Sequence, residues 1–170
     1  EVDGDSNVTT AAVVINDSIV LEDLDGDVST ATVTITNATA DDELLFTNTA
    51  DIEGSSNYNS GTGTLTLTLS AASAGSPTTA DFQAALRTVE YNNTSEDPSE
   101  TARTVEFSVS DGTDTSNPVA SETVAVTATN DAPTVSLTDQ SPSFTEVDGD
   151  SNVTTAAVVI NDSIVLEDLD

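Results

Sequence analysis

Acidic residues at alternate positions are the side chains of this sequence best suited to chemistry. Two clusters, residues 1–5 and 23–27, carry the spacing Asp-x-Asp and end in Asp-Gly-Asp. Alternate residues of a turn can present several oxygens to one ion, and calcium takes about six to eight oxygen ligands. Glycine between two aspartates lets the backbone curl, so that carbonyl oxygens join the carboxylates. The candidate ligands in the two clusters are Glu1, Asp3, Asp5, Asp23, Asp25 and Asp27.

Each cluster has an alternative interpretation as a solvated acidic turn. Neither matches the EF-hand loop, because the following helix and the terminal bidentate glutamate are missing. No arginine, lysine or histidine lies near either cluster, so no protein cation neutralises the paired carboxylates. The sequence therefore predicts calcium as the cofactor. Asn130 and Asp131, just ahead of Pro133, are either further ligands or an ordinary turn, and the polar run 92–98 is interpreted as a turn.

The net charge favours a cation as the partner of this surface. Thirty-one acids, two arginines and no histidine give a formal net charge of −29. Such a surface repels nucleic acid and anionic membranes, so we expect no nucleic-acid partner and no membrane insertion. The chain also has no cysteine, and therefore no disulfide can stabilise its fold. A bound metal is the expected substitute.

Catalysis is not expected from this composition. The absence of histidine, cysteine and lysine excludes Ser–His triads and thiol chemistry. A carboxylate pair could hydrolyse a glycosidic bond, but it needs a cleft whose apolar walls shift one pKa. Six aromatic residues are barely enough for the core. We predict that the protein is not an enzyme.

The chain repeats itself. Residues 146–170 are identical to residues 1–25, at an offset of 145 residues. The alternatives are a cloning duplication or a window cut from an array of near-identical repeats, and the array is the better interpretation. We place the domain boundary before Pro133, so that 1–132 hold most of one repeat without its first strand and 133–170 begin the next. The repeated acids of the second copy, which are further candidate calcium ligands, are Glu146, Asp148, Asp150, Asp168 and Asp170.

Alternation of polar and apolar residues predicts β-strands that would position these acids. Residues 64–69 alternate without a fault, and the same period marks 31–36, 104–109 and 123–128. Shorter candidates are 12–15, 18–21, 43–47 and 88–91. Residues 79–86 have helical spacing, with Phe82 and Leu86 directed to the core. The sequence predicts an all-β, antiparallel sandwich with one short helix.

Several segments, in their order along the chain, resemble the cadherin-like tandem repeats of giant bacterial surface adhesins. They are the helical run 80–86, the strand and polar loop 88–98, the strand and turn 103–112, and the strand and linker 124–133. The resemblance implies an immunoglobulin-like (cadherin-like) Greek-key sandwich, export to the cell surface by a bacterial secretion route, and calcium between successive domains. Its ligands would be Glu1 with its copy Glu146, Asp23 with Asp25, and Asn130 with Asp131. Asp3 and Asp5 have no clear role in the family.

The expected function is therefore a structural extender of a large, secreted, calcium-dependent adhesin, whose partners are neighbouring identical repeats. One alternative is a subunit of a surface filament or sheath that is completed by strand exchange with another copy. Another is a module that binds glycan or protein. We further expect residues 133–145 to pair with an edge of the sandwich, because one sheet would otherwise lack its first strand.

Overall fold

The computed structural model of the protein describes residues 11–24, 27–54, 56–71, 78–130, 132–137, 141–144 and 157–167. The chain forms two compact units, Glu1–Thr129 and Asn130–Asp170. The division between the units falls between Thr129 and Asn130, and the boundary predicted from the sequence lies just before Pro133. The assignment of the two units to successive repeats stays a prediction.

Eleven strands and one helix make up the described regular structure. The first unit contains β1 Val13–Val14, β2 Thr30–Ile35, β3 Asp42–Leu45, β4 Ile52–Glu53, β5 Tyr58–Asn59, β6 Thr64–Leu69, α1 Thr79–Leu86, β7 Glu90–Asn93, β8 Arg103–Ser110 and β9 Ala120–Val124. The second unit contains β10 Thr134–Leu137 and β11 Ile164–Glu167. Among the described residues all strand pairs are antiparallel, and they form an all-β sandwich with one short helix, as the sequence predicts.

The larger sheet has the strand order β4-β6-β2-β8-β9, with β5 also paired to β6. Its centre is β2, where Val33 lies opposite Leu65 of β6 and Phe107 of β8. Threonine alternates with aliphatic residues in β2 and β6, and the aliphatic side chains at Val33 and Leu65 are buried. This period places one face of the sheet against the core and leaves the threonine face partly exposed.

The smaller sheet, in the order β1-β7-β3, supplies the other side of the core. Leu44 of β3 lies opposite Tyr91 of β7, and both side chains are buried in the same apolar cluster as the inward residues of the larger sheet. Sheets that face each other in this way interdigitate their inward side chains. The core therefore lies between the two sheets.

Helix α1 closes part of this core. It begins after Thr78, whose backbone N–H and hydroxyl both donate to Asp81 Oδ2, at 2.7 and 2.9 Å. This arrangement satisfies groups that a helix N-terminus leaves without partners. Phe82 and Leu86 are fully buried, which confirms their predicted place in the core.

The second unit contains a two-stranded sheet. Thr134–Leu137 pairs antiparallel with Ile164–Glu167, with Val135 opposite Leu166 and Leu137 opposite Ile164. We expected residues 133–145 to pair with an edge of the sandwich, and in the structure β10 pairs instead with the repeated segment of its own unit. In the first unit, segment 18–21 was predicted as a strand, but it forms none among the described residues.

Candidate functional site

The first unit carries an acidic pocket that includes Asp23. Glu22, Asp23, Asp111 and Asp114 line it, together with the hydroxyls of Ser110 and Ser116. Its volume is about 210 Å³, and Val28 and Val109 form its apolar wall. Asp23 is half-buried, whereas Glu22 and Asp114 are exposed. A pocket of this composition attracts cations.

Asp111 has a structural role in the turn that follows β8. Its Oδ1 accepts hydrogen bonds from the backbone N–H groups of Thr113 and Asp114, both at 2.7 Å. The N–H of Asp114 and then that of Thr113 lower the pKa of Asp111. The adjacent Gly112 has φ of +98°, a conformation that glycine adopts without strain. The carboxylate therefore stabilises the turn that the Asp-Gly sequence predicts.

The pocket does not by itself make a calcium site. Within the described segments of the chain, no group of three or more acidic side chains converges closely enough to hold a metal ion. A calcium ion takes about six to eight oxygens, so Asp23 would need ligands from beyond this pocket. Ten candidates lie outside the described residues, namely Glu1, Asp3, Asp5, Asp25, Asp131, Glu146, Asp148, Asp150, Asp168 and Asp170.

Two further predicted ligands are described. Asp27 Oδ1 accepts a hydrogen bond from the backbone N–H of Thr79 at 3.3 Å, so Asp27 places its negative charge at the N-terminus of α1. That position favours an acid, because the helix dipole is positive there. Asn130 is exposed and belongs to the second unit. The assignment of Asp23, Asp27 and Asn130 to calcium stays a prediction.

A buried cluster centred on Asp42 is the polar site with the most hydrogen bonds among the described residues. It was not predicted from the sequence. Arg103 Nε donates to Asp42 Oδ2 at 2.7 Å, and the two side chains are 1% and 0% exposed. Oδ1 of the same carboxylate accepts from Tyr91 Oη at 2.5 Å and from Asn93 Nδ2 at 2.8 Å. The backbone N–H of Thr39 donates to Oδ2 at 2.6 Å. Both carboxylate oxygens are therefore fully hydrogen-bonded.

The Asp42 cluster joins the two sheets. Asp42 and Tyr91 belong to the smaller sheet, and Arg103 is the first residue of β8 in the larger one. Tyr58 of the larger sheet adds a hydrogen bond from its hydroxyl to the carbonyl of Asp42 at 2.7 Å. Arg103 Nη1 also donates to the carbonyls of Ser99 and Thr101, which holds the preceding loop. The cluster links sheets and loop in a chain that has no disulfide.

The electrostatics of the cluster follow from its burial and hydrogen bonds. Burial alone would raise the pKa of Asp42, but the hydrogen bond from Arg103, with those from Thr39, Tyr91 and Asn93, lowers it to about 2. Burial and the neighbouring Asp42 carboxylate raise the pKa of Tyr91 to about 12. At neutral pH the cluster is therefore an ion pair hydrogen-bonded to a neutral tyrosine.

The comparisons with known proteins leave the family open. No family model, curated protein or solved structure matches the chain. Among the described residues, no helix is long and apolar enough to cross a membrane. The class that the structure defines is an antiparallel β-sandwich fastened by a buried ion pair.

Proposed function

We propose that this chain is a structural extender from an array of near-identical repeats, exported to the cell surface as part of a large adhesin and stiffened by calcium. The observation that carries the proposal is the exact recurrence of 25 residues at an offset of 145 residues. Identical neighbouring units contribute through their number, which sets a length. The resemblance to cadherin-like adhesin repeats, described above, supports the same function.

The internal organisation of the sandwich suits a load-bearing module. Its buried polar groups connect the two sheets, as Asp42 and Arg103 do, and the buried aromatic residues Phe46, Phe82, Tyr91 and Phe107 belong to the core. The faces of these four residues are therefore committed to packing, whereas Phe144 is 64% exposed. These features favour an extender over a glycan-binding module.

The calcium part of the proposal is supported by charge. With a net charge of −29 and two arginines, the chain has little to offset repulsion among its carboxylates. Of those two arginines, Arg103 is fully buried against Asp42, and Arg87 donates from Nε to the carbonyl of Ile19 at 2.8 Å. Self-repulsion destabilises a compact state, and bound divalent cations relieve it.

Calcium is expected to raise the thermal stability of the protein. At a free calcium concentration of a hundred times the dissociation constant, each independent site adds about 2.7 kcal/mol to the free energy of unfolding. Unfolding should be followed by circular dichroism with excess calcium and with chelator, at matched ionic strength. Sodium chloride at high concentration is the control for simple screening. Equal midpoints in calcium and chelator would exclude the calcium part of the proposal.

The same unfolding measurements, made over a range of calcium concentrations, test which side chains bind calcium. Replacing both Asp23 and Asp25 with Asn should weaken calcium binding and leave the circular dichroism of the folded protein unchanged. Asp111→Asn is the matched control. Asp111 lines the same pocket, but its carboxylate accepts hydrogen bonds from the backbone of its own turn. If the two variants lose calcium equally, the ligand assignment is wrong.

The extender role predicts how length depends on repeat number. Arrays of two, three and four units should be compared by small-angle X-ray scattering, in calcium and in chelator. We expect the maximum dimension to grow linearly with the number of units in calcium, because stiff junctions keep successive domains aligned. In chelator the growth should be weaker, since flexible junctions let the array fold back. A dimension that levels off in calcium would contradict the extender proposal.

A further inference from the structure

The two copies of the repeated segment adopt the same local turn but differ in strand pairing. In the first copy the N–H of Ser18 donates to Asn16 Oδ1 at 2.9 Å, and in the second the N–H of Ser163 donates to Asn161 Oδ1 at 2.7 Å. Each turn leads into the sequence Ile-Val-Leu-Glu. In the second copy this segment is β11, paired with β10. In the described part of the first unit, residues 19–22 pair with no strand.

One edge of segment 19–22 is already occupied by side chains around α1. The carbonyl of Ile19 accepts from Arg87 Nε at 2.8 Å, and the N–H of Leu21 donates to Gln83 Oε1 at 2.9 Å. In extended chain the backbone groups of alternate residues point to opposite edges. The N–H and C=O groups of Val20 and Glu22 have no backbone partner among the described residues, and in an extended segment they would point to the other edge.

An apolar groove lies beside segment 19–22. Phe107 and Val109 of β8 line it, together with Pro118 and Ala120. Its volume is about 190 Å³. That is several times the share of about 30 Å³ that one water molecule has in the liquid, so the groove can admit aliphatic side chains.

We infer that this groove binds residues Thr134–Leu137 of a second copy of the chain, added as an antiparallel strand to segment 19–22. The register is the one that β10 already uses with the identical sequence of β11. Shifted by the 145-residue repeat, it places Ser136 opposite Val20, Val135 opposite Leu21 and Leu137 opposite Ile19. Directly opposed side chains lie on the same face of a sheet, so Val135 and Leu137 enter the groove with Leu21 and Ile19.

Burial favours the exchange. Both acceptors have the same sequence, so the main-chain hydrogen bonds lost at β11 are regained at segment 19–22. The surroundings differ, because Ile164 and Leu166 are 54% and 76% exposed, whereas Ile19 and Leu21 pack against the core. Val135 and Leu137 are now 63% and 64% exposed, and binding in the groove would remove their side chains from water. Apolar area removed from water supplies the driving force.

The contact is head-to-tail, because the donor strand and the acceptor groove are different surfaces of the same chain. Such heterologous contacts build open chains when the rotation does not close a ring. The inference goes beyond the extender function, since it joins separate molecules. It gives the protein a means of lateral or end-to-end assembly.

Disulfide trapping tests the proposed pairing, since the chain has no cysteine of its own. Opposed residues of an antiparallel pair have Cα atoms about 4.5–5.5 Å apart, a distance that a disulfide spans. Chains carrying Val20→Cys are mixed with chains carrying Ser136→Cys and oxidised mildly. We expect the mixed dimer in excess over both homodimers. Leu24→Cys, at a 99% exposed neighbouring position, is the matched control and should give no excess with Ser136→Cys.

Light scattering over a range of protein concentrations provides the second readout. The mass of the unmodified chain should rise above that of a monomer, and Val20→Pro should require about tenfold more protein for the same mass, as expected for one lost hydrogen bond. Val165→Pro, the equivalent change in the tail, should promote assembly because it releases β10. The double variant Val135→Lys with Leu137→Lys changes only residues of the donor strand, and should remain monomeric.

Two outcomes would overturn the inference. One is a mixed dimer no more abundant than the homodimers. The other is a disulfide formed within single chains that carry both Val20→Cys and Ser136→Cys, because the groove would then be filled by the chain's own tail.

Discussion

Asp42→Asn is expected to lower the free energy of unfolding by about 3–5 kcal/mol at pH 7, the usual cost of removing one partner from a buried ion pair. Arg103 would keep its charge at a site that is 1% exposed, and the new amide would turn one donor toward other donors. Typical domains have a total stability of about 5–15 kcal/mol, so the loss is a large share. Urea unfolding followed by circular dichroism measures it.

Asp41→Asn is the matched control for this substitution. The two aspartates are adjacent and the change is chemically the same, but Asp41 is exposed and Asp42 is not. A surface change of this kind usually stays within about 0.5 kcal/mol of the parent. An equal loss of unfolding free energy in the two variants would mean that the removal of a negative charge, and not the loss of the ion pair, causes the destabilisation.

The contribution of Asp42 should also depend on pH. Its pKa is about 2 in the folded protein, against 3.8 for an aspartate in the unfolded chain. A lowered pKa stabilises the folded state above pH 3.8, and this stabilisation is lost as the pH falls through 2. The stability difference between the parent and Asp42→Asn should therefore shrink by about 2 kcal/mol over this window. The difference is the quantity to measure, because acid also relieves the repulsion among the other carboxylates.

The strands with strict alternation were predictable from sequence because both their faces are specified. In β2 and β6, a threonine face and an aliphatic face leave one possible orientation. Strand β9 was predicted at 123–128 but covers Ala120–Val124. Val124 lies opposite Arg103, the first residue of β8, so the partner strand ends there. The alternating apolar pattern of the sequence continues past Val124, but β8 offers no further hydrogen-bond partner there. The end of β9 therefore depends on the length of β8, which the sequence of β9 does not contain.

The Asp42 cluster was not predicted, because its members come from separate parts of the chain. Tyr91 and Arg103 lie 49 and 61 residues from Asp42. A signal was nevertheless present. Arg103 shares the inward register of Val105 and Phe107, and Asp42 shares that of Leu44. A charged residue at an inward strand position requires a buried counter-charge, and two such residues of opposite sign are a candidate pair.

The missing first-unit strand has a similar cause. Residues 18–21 have the composition of a strand, and the second copy of this segment forms one at Ile164–Glu167, where β10 lies beside it. Identical sequence therefore gives different structure according to the available partner. Local pattern specifies the capacity to form a strand, and pairing decides whether it forms.

Phe82→Ala is expected to cost about 3–5 kcal/mol, the range for removing a large aromatic side chain from a closed core. Phe82 is fully buried on α1, and the helix contacts β2 and β4 of the larger sheet. A cavity at this position also loosens the helix, whose Gln83 and Arg87 hold the backbone of Leu21 and Ile19. Segment 19–22 should therefore exchange its amide hydrogens faster in this variant, which hydrogen-exchange mass spectrometry measures. Phe144→Ala makes the same change at a residue that is 64% exposed, and it should change stability by less than about 0.5 kcal/mol. If the two variants unfold at the same urea concentration, Phe82 does not support the core, and the helix is an appendage to the sandwich.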